Sequence, residues 1–333
     1  MCRTKIKQRL KSLVLCSLLH LVFLGNPLVQ AQSLDIPSKK WGISFGNSKE
    51  FTGLRFNIQD QDVRKINGIN FTLWRPKKDN PDSVINGMSL GLMPGGGHLR
   101  GIQLGVAGVG AEESLKGISV GLIGVGAGED VMGINIGGIG AGTGGNMFGL
   151  NIGGLGVGAG EDLIGINIGG LGCGAGRDMK GFNFGALGAG AGGDVYGLNI
   201  GGLGIGAGEN MIGINIGGLG VGAGEKLAGI NIGGLGCGAP EVTGLSVGGL
   251  GVGGKYLRGV HLSLGTIMTD KSGGVMTGLA VSSFNYIRGD QIGLSIGIVN
   301  YAWNIKGLQI GLVNIVRNNP RGLKILPLFN TSF

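Results

Sequence analysis

Residues that could perform nucleophilic or acid–base chemistry are few and widely spaced in this chain of 333 residues. Beyond residue 31 the only histidines are His98 and His261, and neither stands at a Ser/His/Asp or metal-ligand spacing. The carboxylates, such as Glu161 and Asp162, lie in segments with the composition of turns and recur a whole repeat apart. This distribution predicts a protein that is not an enzyme and has no recognisable site for a cofactor or a small-molecule substrate.

Two glycine-rich motifs invite a ligand-binding interpretation. Matches to Gly-x-Gly-x-x-Gly occur throughout, but a dinucleotide fingerprint also needs a helix after it, and the glycine content argues against any helix. Residues 153–158 resemble the calcium-binding repeat Gly-Gly-x-Gly-x-Asp, yet Gly158 stands where the ligand Asp belongs. Hard cations need several oxygen ligands. We therefore expect a chain that folds without calcium or another metal and whose turn carboxylates are solvated.

A tandem repeat must position all of these residues. Residues 117–228 comprise seven consecutive units of equal length, and a fixed period of this size indicates a repeat architecture. We number each unit from its first glycine, so residues 149–164, GLNIGGLGVGAGEDLI, occupy unit positions 1 to 16. Positions 2 and 4 are apolar in every unit and flank a third position that is polar. This alternation predicts a strand with one buried face.

From the alternation we predict that positions 2, 4, 7, 9, 11 and 15 face the interior, so that Ile168, at position 4, is fully buried. Position 3 then faces outward. It holds asparagines that we predict to form a structural ladder, with stacked amides hydrogen-bonded from unit to unit: Asn135, Asn151, Asn167, Asn183, Asn199, Asn215 and Asn231.

Six glycines per unit argue against a helix, because each would destabilise a helix interior by about 0.5–1 kcal/mol relative to alanine. Two all-β architectures remain. In a parallel β-solenoid each unit is one coil, and degenerate terminal repeats cap the stack. In an antiparallel transmembrane β-barrel of about 19 strands, each unit is one long bulged strand. Consecutive turns, such as residues 160–162 and 176–178, look alike instead of alternating between short and long. This regularity favours the solenoid.

Cys173 and Cys237 both occupy position 9, four units apart. Neighbouring parallel strands lie about 4.8 Å apart, so the two residues would be separated by roughly 19 Å. A disulfide requires Cα atoms within about 7 Å. We therefore predict two free, buried thiols that take the place of valine or alanine.

Residues 1–31 predict a cleaved secretory signal peptide. Basic residues from Arg3 to Lys11 precede an apolar run at 13–24, and a small-residue cleavage site follows at 29–31. The formal charge of +8 falls to +3 once these five basic residues are removed, so the basic composition indicates targeting and not nucleic-acid binding. The remaining chain divides into degenerate N-terminal repeats at 32–100, regular glycine-rich repeats with a period of 15 to 16 at 101–254 and degenerate C-terminal repeats at 255–333.

The C-terminal repeats carry a family resemblance. Residues 293–300, GLSIGIVN, and 307–314, GLQIGLVN, with LPLFN at 326–330, resemble the exported leptospiral-type surface-repeat family of Gram-negative bacteria, whose tandem unit is Gly-Leu-x-Ile-Gly-Leu-x-Asn. The match is closest over 278–333 and looser over 42–76, and the longer units in the middle of the chain depart from it. The resemblance implies an outer-membrane or cell-surface location and brings no established activity or catalytic residues.

These observations predict an exported cell-envelope repeat protein with a structural or interaction role. Its partners would be envelope components or the outer membrane, and not nucleic acid. The alternative function is an integral outer-membrane barrel, either a pore or a structural protein.

Overall fold

The computed structural model describes residues 33–270 and 273–332. Regular structure in these ranges is entirely β, and each of the central units contributes two strands. The described residues include no helix long and apolar enough to cross a membrane. The predicted signal peptide, residues 1–31, lies outside the described residues.

The strands differ in length between the two halves of each unit, and a few long strands at the ends of the chain combine both halves. In chain order the strands are β1 (Leu34–Pro37), β2 (Trp41–Phe45), β3 (Glu50–Gln59), β4 (Lys65–Trp74), β5 (Val84–Gly91), β6 (Gly95–Gly105), β7 (Gly108–Gly121), β8 (Gly124–Ala127), β9 (Asp130–Gly137), β10 (Gly140–Thr143), β11 (Met147–Gly153), β12 (Gly156–Ala159), β13 (Leu163–Gly169), β14 (Gly172–Ala175), β15 (Met179–Gly185), β16 (Gly188–Ala191), β17 (Val195–Gly201), β18 (Gly204–Ala207), β19 (Asn210–Gly217), β20 (Gly220–Ala223), β21 (Lys226–Gly233), β22 (Gly236–Gly238), β23 (Glu241–Gly248), β24 (Gly251–Gly254), β25 (Tyr256–Ser263), β26 (Thr266–Thr269), β27 (Val275–Val281), β28 (Phe284–Ile296), β29 (Val299–Val316) and β30 (Ile325–Thr331).

Strands of the central units pair in parallel with the strand two further along the chain. In the pair β11–β13, Asn151 lies opposite Asn167, and in the pair β12–β14, Val157 lies opposite Cys173. Each residue therefore lies against its equivalent in the next unit. The first ladder is built from positions 15 to 5, across the unit boundary, and the second ladder from positions 8 to 11.

The described chain is thus a parallel β-solenoid of about 16 turns. The solenoid prediction is confirmed. The antiparallel alternative is wrong, because consecutive units pair in parallel and each unit forms two strands with a bend at Gly154–Leu155 between them. The alternative function that sequence analysis attached to the antiparallel fold loses its structural basis.

Single antiparallel strands close the two ends of the first ladder. β1 pairs with β2, and Leu34 lies opposite Phe45. β30 pairs with β29, and Leu308 lies opposite Thr331. Unpaired strand edges are templates for pairing with other chains. These two strands cover such edges, and the degenerate repeats between them continue the parallel ladder.

The interior of the rod holds the apolar residues of positions 9, 11 and 15, as predicted. Val157, Ala159 and Leu163 are buried and belong to one continuous cluster. Cys173 and Cys237 lie in the position 9 column as free, buried thiols, which confirms their prediction.

The prediction for positions 2, 4 and 7 is wrong. Ile166, at position 2, is 48% exposed, Leu155, at position 7, is 53% exposed, and Ile168 is half-buried, whereas Asn167 between the two isoleucines is fully buried. Side chains of a strand alternate between its faces. Because position 15 faces inward in the first ladder, positions 3 and 5 also face inward, and positions 16, 2 and 4 face outward.

Glycine at position 1 allows successive coils to approach closely. Gly165, at position 1, has φ of +125°, and a Cβ there would overlap the carbonyl oxygen of Gly149 in the preceding coil. The same positive φ recurs at the first glycine of each unit from Gly42 to Gly307. Only glycine adopts this conformation without strain, so the close approach of successive coils requires it.

Not every glycine of the unit is required in this way. A Cβ at Gly202, a position 6 residue, would overlap the carbonyl oxygen of Ala186. A Cβ at Gly206, a position 10 residue of the same coil, would have no heavy atom within 4 Å, and its φ lies outside the left-handed region. Positions 8 and 10 face outward on the second ladder, so this surface is nearly free of side chains over residues 108–254.

We expect the substitutions Gly202→Ala and Gly206→Ala to separate these two classes of glycine. Gly206→Ala should leave stability unchanged or raise it by about 0.4–1 kcal/mol, because alanine restricts the unfolded chain. Gly202→Ala should destabilise the rod by more than that, because the added methyl group displaces the neighbouring coil. Thermal melting followed by circular dichroism measures both. Equal destabilisation by the two variants would contradict the assignment of position 10 to an open surface.

Candidate interaction surface

The predicted asparagine residues lie in one column inside the rod. From Asn135 to Asn215, each side-chain Nδ2 donates a hydrogen bond to Oδ1 of the asparagine in the next coil, at 2.8–2.9 Å. All seven side chains are fully buried. The prediction that this column faces outward is wrong. An inward amide needs a partner in every coil, and the in-register stack supplies one from the same residue type.

The ladder leaves little hydrogen-bonding capacity for a ligand. Only its two ends, Asn135 Oδ1 and Asn231 Nδ2, have no hydrogen-bond partner. Beyond them the column continues through buried Ser119 on one side and through Ser246 and His261 on the other. This column is a structural feature of the interior and does not form a binding face.

The inward asparagines place the large apolar residues on the outside. We define the apolar face as the side chains of positions 2 and 4, from Ile43 and Phe45 in β2 to Leu308 and Ile310 in β29. In every coil these positions hold only Ile, Leu, Met, Val or Phe. The face is therefore continuous along the entire first ladder.

The apolar face has no charged residue within it or on the side toward the second ladder. No outward side chain of positions 1 to 7 is charged in any described coil from Gly42 to Gly307. The column of position 7 adds exposed leucines along this side, among them Leu155, Leu187 and Leu219. Isolated exposed apolar residues are ordinary on protein surfaces, but a large contiguous patch indicates an interaction site.

The other side of the apolar face is bordered by position 16. We define the basic margin as the lysines and arginines of this position: Arg100, Lys116, Lys180, Arg258 and Lys306. No described residue at position 16 between Trp41 and Lys306 is acidic. Lys180 pairs with Asp178 at 2.9 Å and Arg258 with Glu241 at 3.2 Å. Neither Lys116 nor Lys306 forms an ion pair with a described residue.

The turn carboxylates of position 14 bind the backbone of the next coil. Oδ1 of Asp162 accepts a hydrogen bond from the Asp178 N–H at 3.3 Å, and Oδ1 of Asp178 accepts one from the Asp194 N–H at 3.1 Å. The expectation that the turn carboxylates are solvated does not include this contact. The signal was present, because Asp or Asn recurs at position 14 in most units and both side chains cap backbone N–H groups.

Arg177 adds an ion pair to this turn column. Its Nε lies 2.7 Å from Asp162 Oδ1, and its second nitrogen, Nη2, lies 2.8 Å from Asp162 Oδ2. The hydrogen bond from Arg177, with the backbone N–H of Asp178, holds the pKa of Asp162 below its usual value. At Asp194 burial raises the pKa, but hydrogen bonds from Tyr196 and Asn210 more than offset this and lower it. These carboxylates are held in the charged form as structural groups.

The described histidines and thiols are buried or hydrogen-bonded. Nδ1 of His98 contacts Ser114 Oγ at 2.9 Å. His261 is fully buried, and its burial lowers the pKa to about 4. Burial raises the pKa of the Cys173 thiol, and it raises the pKa of the Cys237 thiol to about 11. Neither thiol therefore forms a reactive thiolate at neutral pH. The described ranges contain no group of three or more His, Cys, Asp or Glu that could hold a metal ion.

The N-terminal end of the interior column contains an ion pair instead of an amide. Arg55, at position 3, is fully buried, and its Nη1 donates to Asp60 Oδ1 at 2.6 Å and to Asn70 Oδ1 at 2.8 Å. Its Nη2 donates to Asn47 Oδ1 at 3.1 Å. A buried charge pair needs such additional hydrogen bonds. We interpret this network as a polar core of the first coils and not as a ligand site.

Comparison with known proteins does not identify a relative. No protein-family model, no curated protein and no solved structure matches the chain. The apolar face is therefore the strongest candidate for a functional site, on its own geometry.

Comparing Asn167→Asp with Ile168→Asp tests which side of the strand faces inward. Asn167 accepts from Asn151 and donates to Asn183, both at 2.8 Å. The aspartate would place a buried charge against the Asn183 oxygen, which costs several kcal/mol. Ile168→Asp introduces a charge that stays near water, so it should lower the free energy of unfolding by about 1 kcal/mol. Urea unfolding of both variants measures the difference. A larger loss for Ile168→Asp would restore the reverse assignment.

Acidic pH should reduce the stability that the position 14 carboxylates contribute. A carboxyl group whose pKa is lower in the folded state contributes stability above its unfolded pKa, and this contribution is lost as the pH falls through the folded pKa. The pKa values of Asp162 and Asp194 are lowered, so the free energy of unfolding should decrease as the pH falls below about 4. Thermal melting at a series of pH values measures the decrease.

The variant Asp162→Asn tests how much of this pH dependence comes from the Asp162 carboxylate. The amide oxygen still accepts from the Asp178 N–H, but the charge that pairs with Arg177 is gone. We expect a smaller loss of stability between neutral and acidic pH. Glu161→Gln is the matched control, because Glu161 is an exposed acid of the same turn that lies 3.6 Å from Arg177. An identical pH profile for Asp162→Asn and the unsubstituted protein would refute this role.

Proposed function

We propose that the protein is an exported, non-catalytic repeat protein of a Gram-negative cell envelope, with a structural or interaction role carried by the apolar face. The single observation that carries the proposal is the uninterrupted exposed apolar surface of the first ladder. A rigid rod of stacked coils displays this surface without the mobility of a loop-based site.

Two features of the sequence support an envelope location. Residues 1–31 have the order of a signal peptide, from a basic start to a small-residue cleavage site. The C-terminal repeats resemble the exported surface-repeat family described above. The first of these features is independent of the surface of the rod.

Most polar groups of the central coils form structural hydrogen bonds, which supports an interaction role in preference to catalysis. The amides of the interior bind one another, and the position 14 carboxylates bind the backbone of the next coil. Catalytic groups need a cleft and a reactive protonation state. In the described residues the buried thiols and His261 have pKa values shifted away from such a state. The exposed surface with the most uniform side-chain composition is the apolar face.

Fractionation of a Gram-negative host that expresses the full chain tests this function. We expect a mature protein that begins at Gln32, by mass spectrometry, and that is recovered with the envelope. Leu18→Arg, within the apolar run of the leader, should keep the protein uncleaved in the cytoplasm.

A variant of the apolar face tests the interaction role in the same fractionation. The triple substitution Ile166→Thr, Ile214→Thr and Ile230→Thr keeps β-branched side chains on exposed positions but makes them polar. We expect this variant to be cleaved normally and to move into the soluble exported fraction. The pair Glu129→Gln and Glu209→Gln, on exposed turns, serves as a control that should remain with the envelope. An uncleaved wild-type chain in the cytoplasm would refute the export part, and unchanged retention of the triple variant would refute the interaction part.

A further inference from the structure

The apolar face is too large for an ordinary solvent-exposed surface. About 16 turns at a spacing of about 4.8 Å make a ladder roughly 75 Å long, and four residues of a strand span roughly 13 Å. The face thus covers about 1,000 Å², whereas the largest apolar patch of a typical soluble monomer covers about 300–600 Å². A partner must cover much of this area in the working protein.

The charge distribution around the face favours an anionic partner. The basic margin follows one long side of the face, and position 16 has no acidic residue in the described coils. Lys116 and Lys306 have no ion pair within the described residues and are exposed, so their charges are available. The side toward the second ladder has no charge of either sign. The column that directly borders the face therefore carries only positive charges, although carboxylates of position 14, one column further out, pair with Lys180 and Arg258. An apolar surface with a basic border is the arrangement of proteins that lie on anionic membranes.

Aromatic residues strengthen this arrangement at the N-terminal end. Trp41, in the position 16 column, is 59% exposed. The rings of Phe45, Phe56 and Phe71 stack along position 4 of the face, with centroid separations of 5.4 Å and 5.0 Å. Tryptophan is enriched where a protein surface passes from lipid tails to headgroups. The end of the rod therefore combines a deep apolar stack with an interfacial aromatic residue.

The side-chain sizes along the face favour a fluid partner over a second copy of the rod. In the position 4 column, Val120 precedes Ile136, and Phe184 lies between Ile168 and Ile200, with no regular order of large and small residues. Two rigid faces that pack against each other need complementary shapes. Lipid tails adapt to an irregular surface.

We propose that the apolar face lies flat on the surface of an anionic lipid bilayer, with the rod parallel to the membrane and the basic margin against the phosphate headgroups. The side chains of positions 2 and 4 enter the boundary between headgroups and acyl chains. The acidic turns lie beyond the basic margin, on its side away from the apolar face. This inference rests on the proposed function, since it names the partner of the same surface.

Vesicle flotation of the protein purified after export tests the inference. One set of vesicles contains only phosphatidylcholine, and a second contains about one third phosphatidylglycerol to supply anionic charge. We expect stronger binding to the anionic vesicles and weaker binding as the salt concentration rises. The triple variant Ile166→Thr, Ile214→Thr and Ile230→Thr should lose binding to both sets. Circular dichroism confirms that each variant is folded.

A double substitution tests whether the basic margin contributes to membrane binding. Lys116→Gln with Lys306→Gln should weaken binding to anionic vesicles by roughly fivefold for each lysine removed. Binding to phosphatidylcholine should not change. The control pair Glu129→Gln and Glu209→Gln removes two charges of the opposite sign and should not weaken binding to either set.

Three outcomes would overturn the inference. Absence of vesicle binding, with a wild-type dimer in sedimentation that the triple variant converts to a monomer, would assign the face to a second copy of the chain. Equal vesicle binding by the wild type and the triple variant would place lipid binding elsewhere on the rod. A wild-type monomer that binds neither vesicle would leave the face to a protein partner. In that case the envelope function still stands if fractionation supports it, because that experiment does not depend on purified lipid.

Discussion

In-register stacking is the constraint on which the rest of this structure depends. Each residue of the central coils lies against its counterpart in the next coil, so a side chain must be compatible with a neighbour of its own type. Asparagine meets this condition in the interior because its amide is both donor and acceptor. Aspartate meets it in the turn by a different route, since its oxygen accepts from the backbone N–H of the next coil and not from the next carboxylate. The polar residues found in the repeat are therefore those that can bind either the same residue type in the next coil or its backbone.

The sequence was sufficient to predict the architecture but not the direction in which its faces point. A constant period and turns of one kind predict parallel coils. The predicted inward set is wrong at positions 2, 4 and 7, because the rule that apolar residues are buried does not hold there. Position 15 and positions 2 and 4 lie in opposite phase within one strand, so they cannot share a face. Lys116 and Lys180, in phase with positions 2 and 4, were the residues that indicate the outward side. The exposed apolar face could not be derived from hydrophobicity, because that rule assigns such residues to the interior.

The glycines divide into those that the coil needs and those that it does not. At position 1 a Cβ would overlap a carbonyl oxygen of the preceding coil, so the tight stacking of coils depends on this glycine. A Cβ at Gly202, at position 6, would also overlap such an oxygen, but Leu122 and Ala186 occupy the same position in other units. At positions 8 and 10 the C-terminal coils carry larger side chains in the same register. Thr266 lies opposite Gly251 and Met268 opposite Gly253, and Phe284 and Tyr286 follow at the same positions. Nothing in the fold explains why positions 8 and 10 are glycine in the central coils.

The two ladders give the rod surfaces of opposite character, and this asymmetry gives it an orientation. The first ladder exposes branched and aromatic side chains, and the second exposes mostly backbone. In the units at 117–228 the carboxylates lie only at positions 13 and 14, between the two ladders. Because both ladders belong to the same coils, the apolar face cannot fold inward or separate from the rest of the rod without breaking the asparagine column behind it. The buried amides thus fix the outward position of Ile166 and its equivalents, so a polar interior is the physical cause of an apolar exterior.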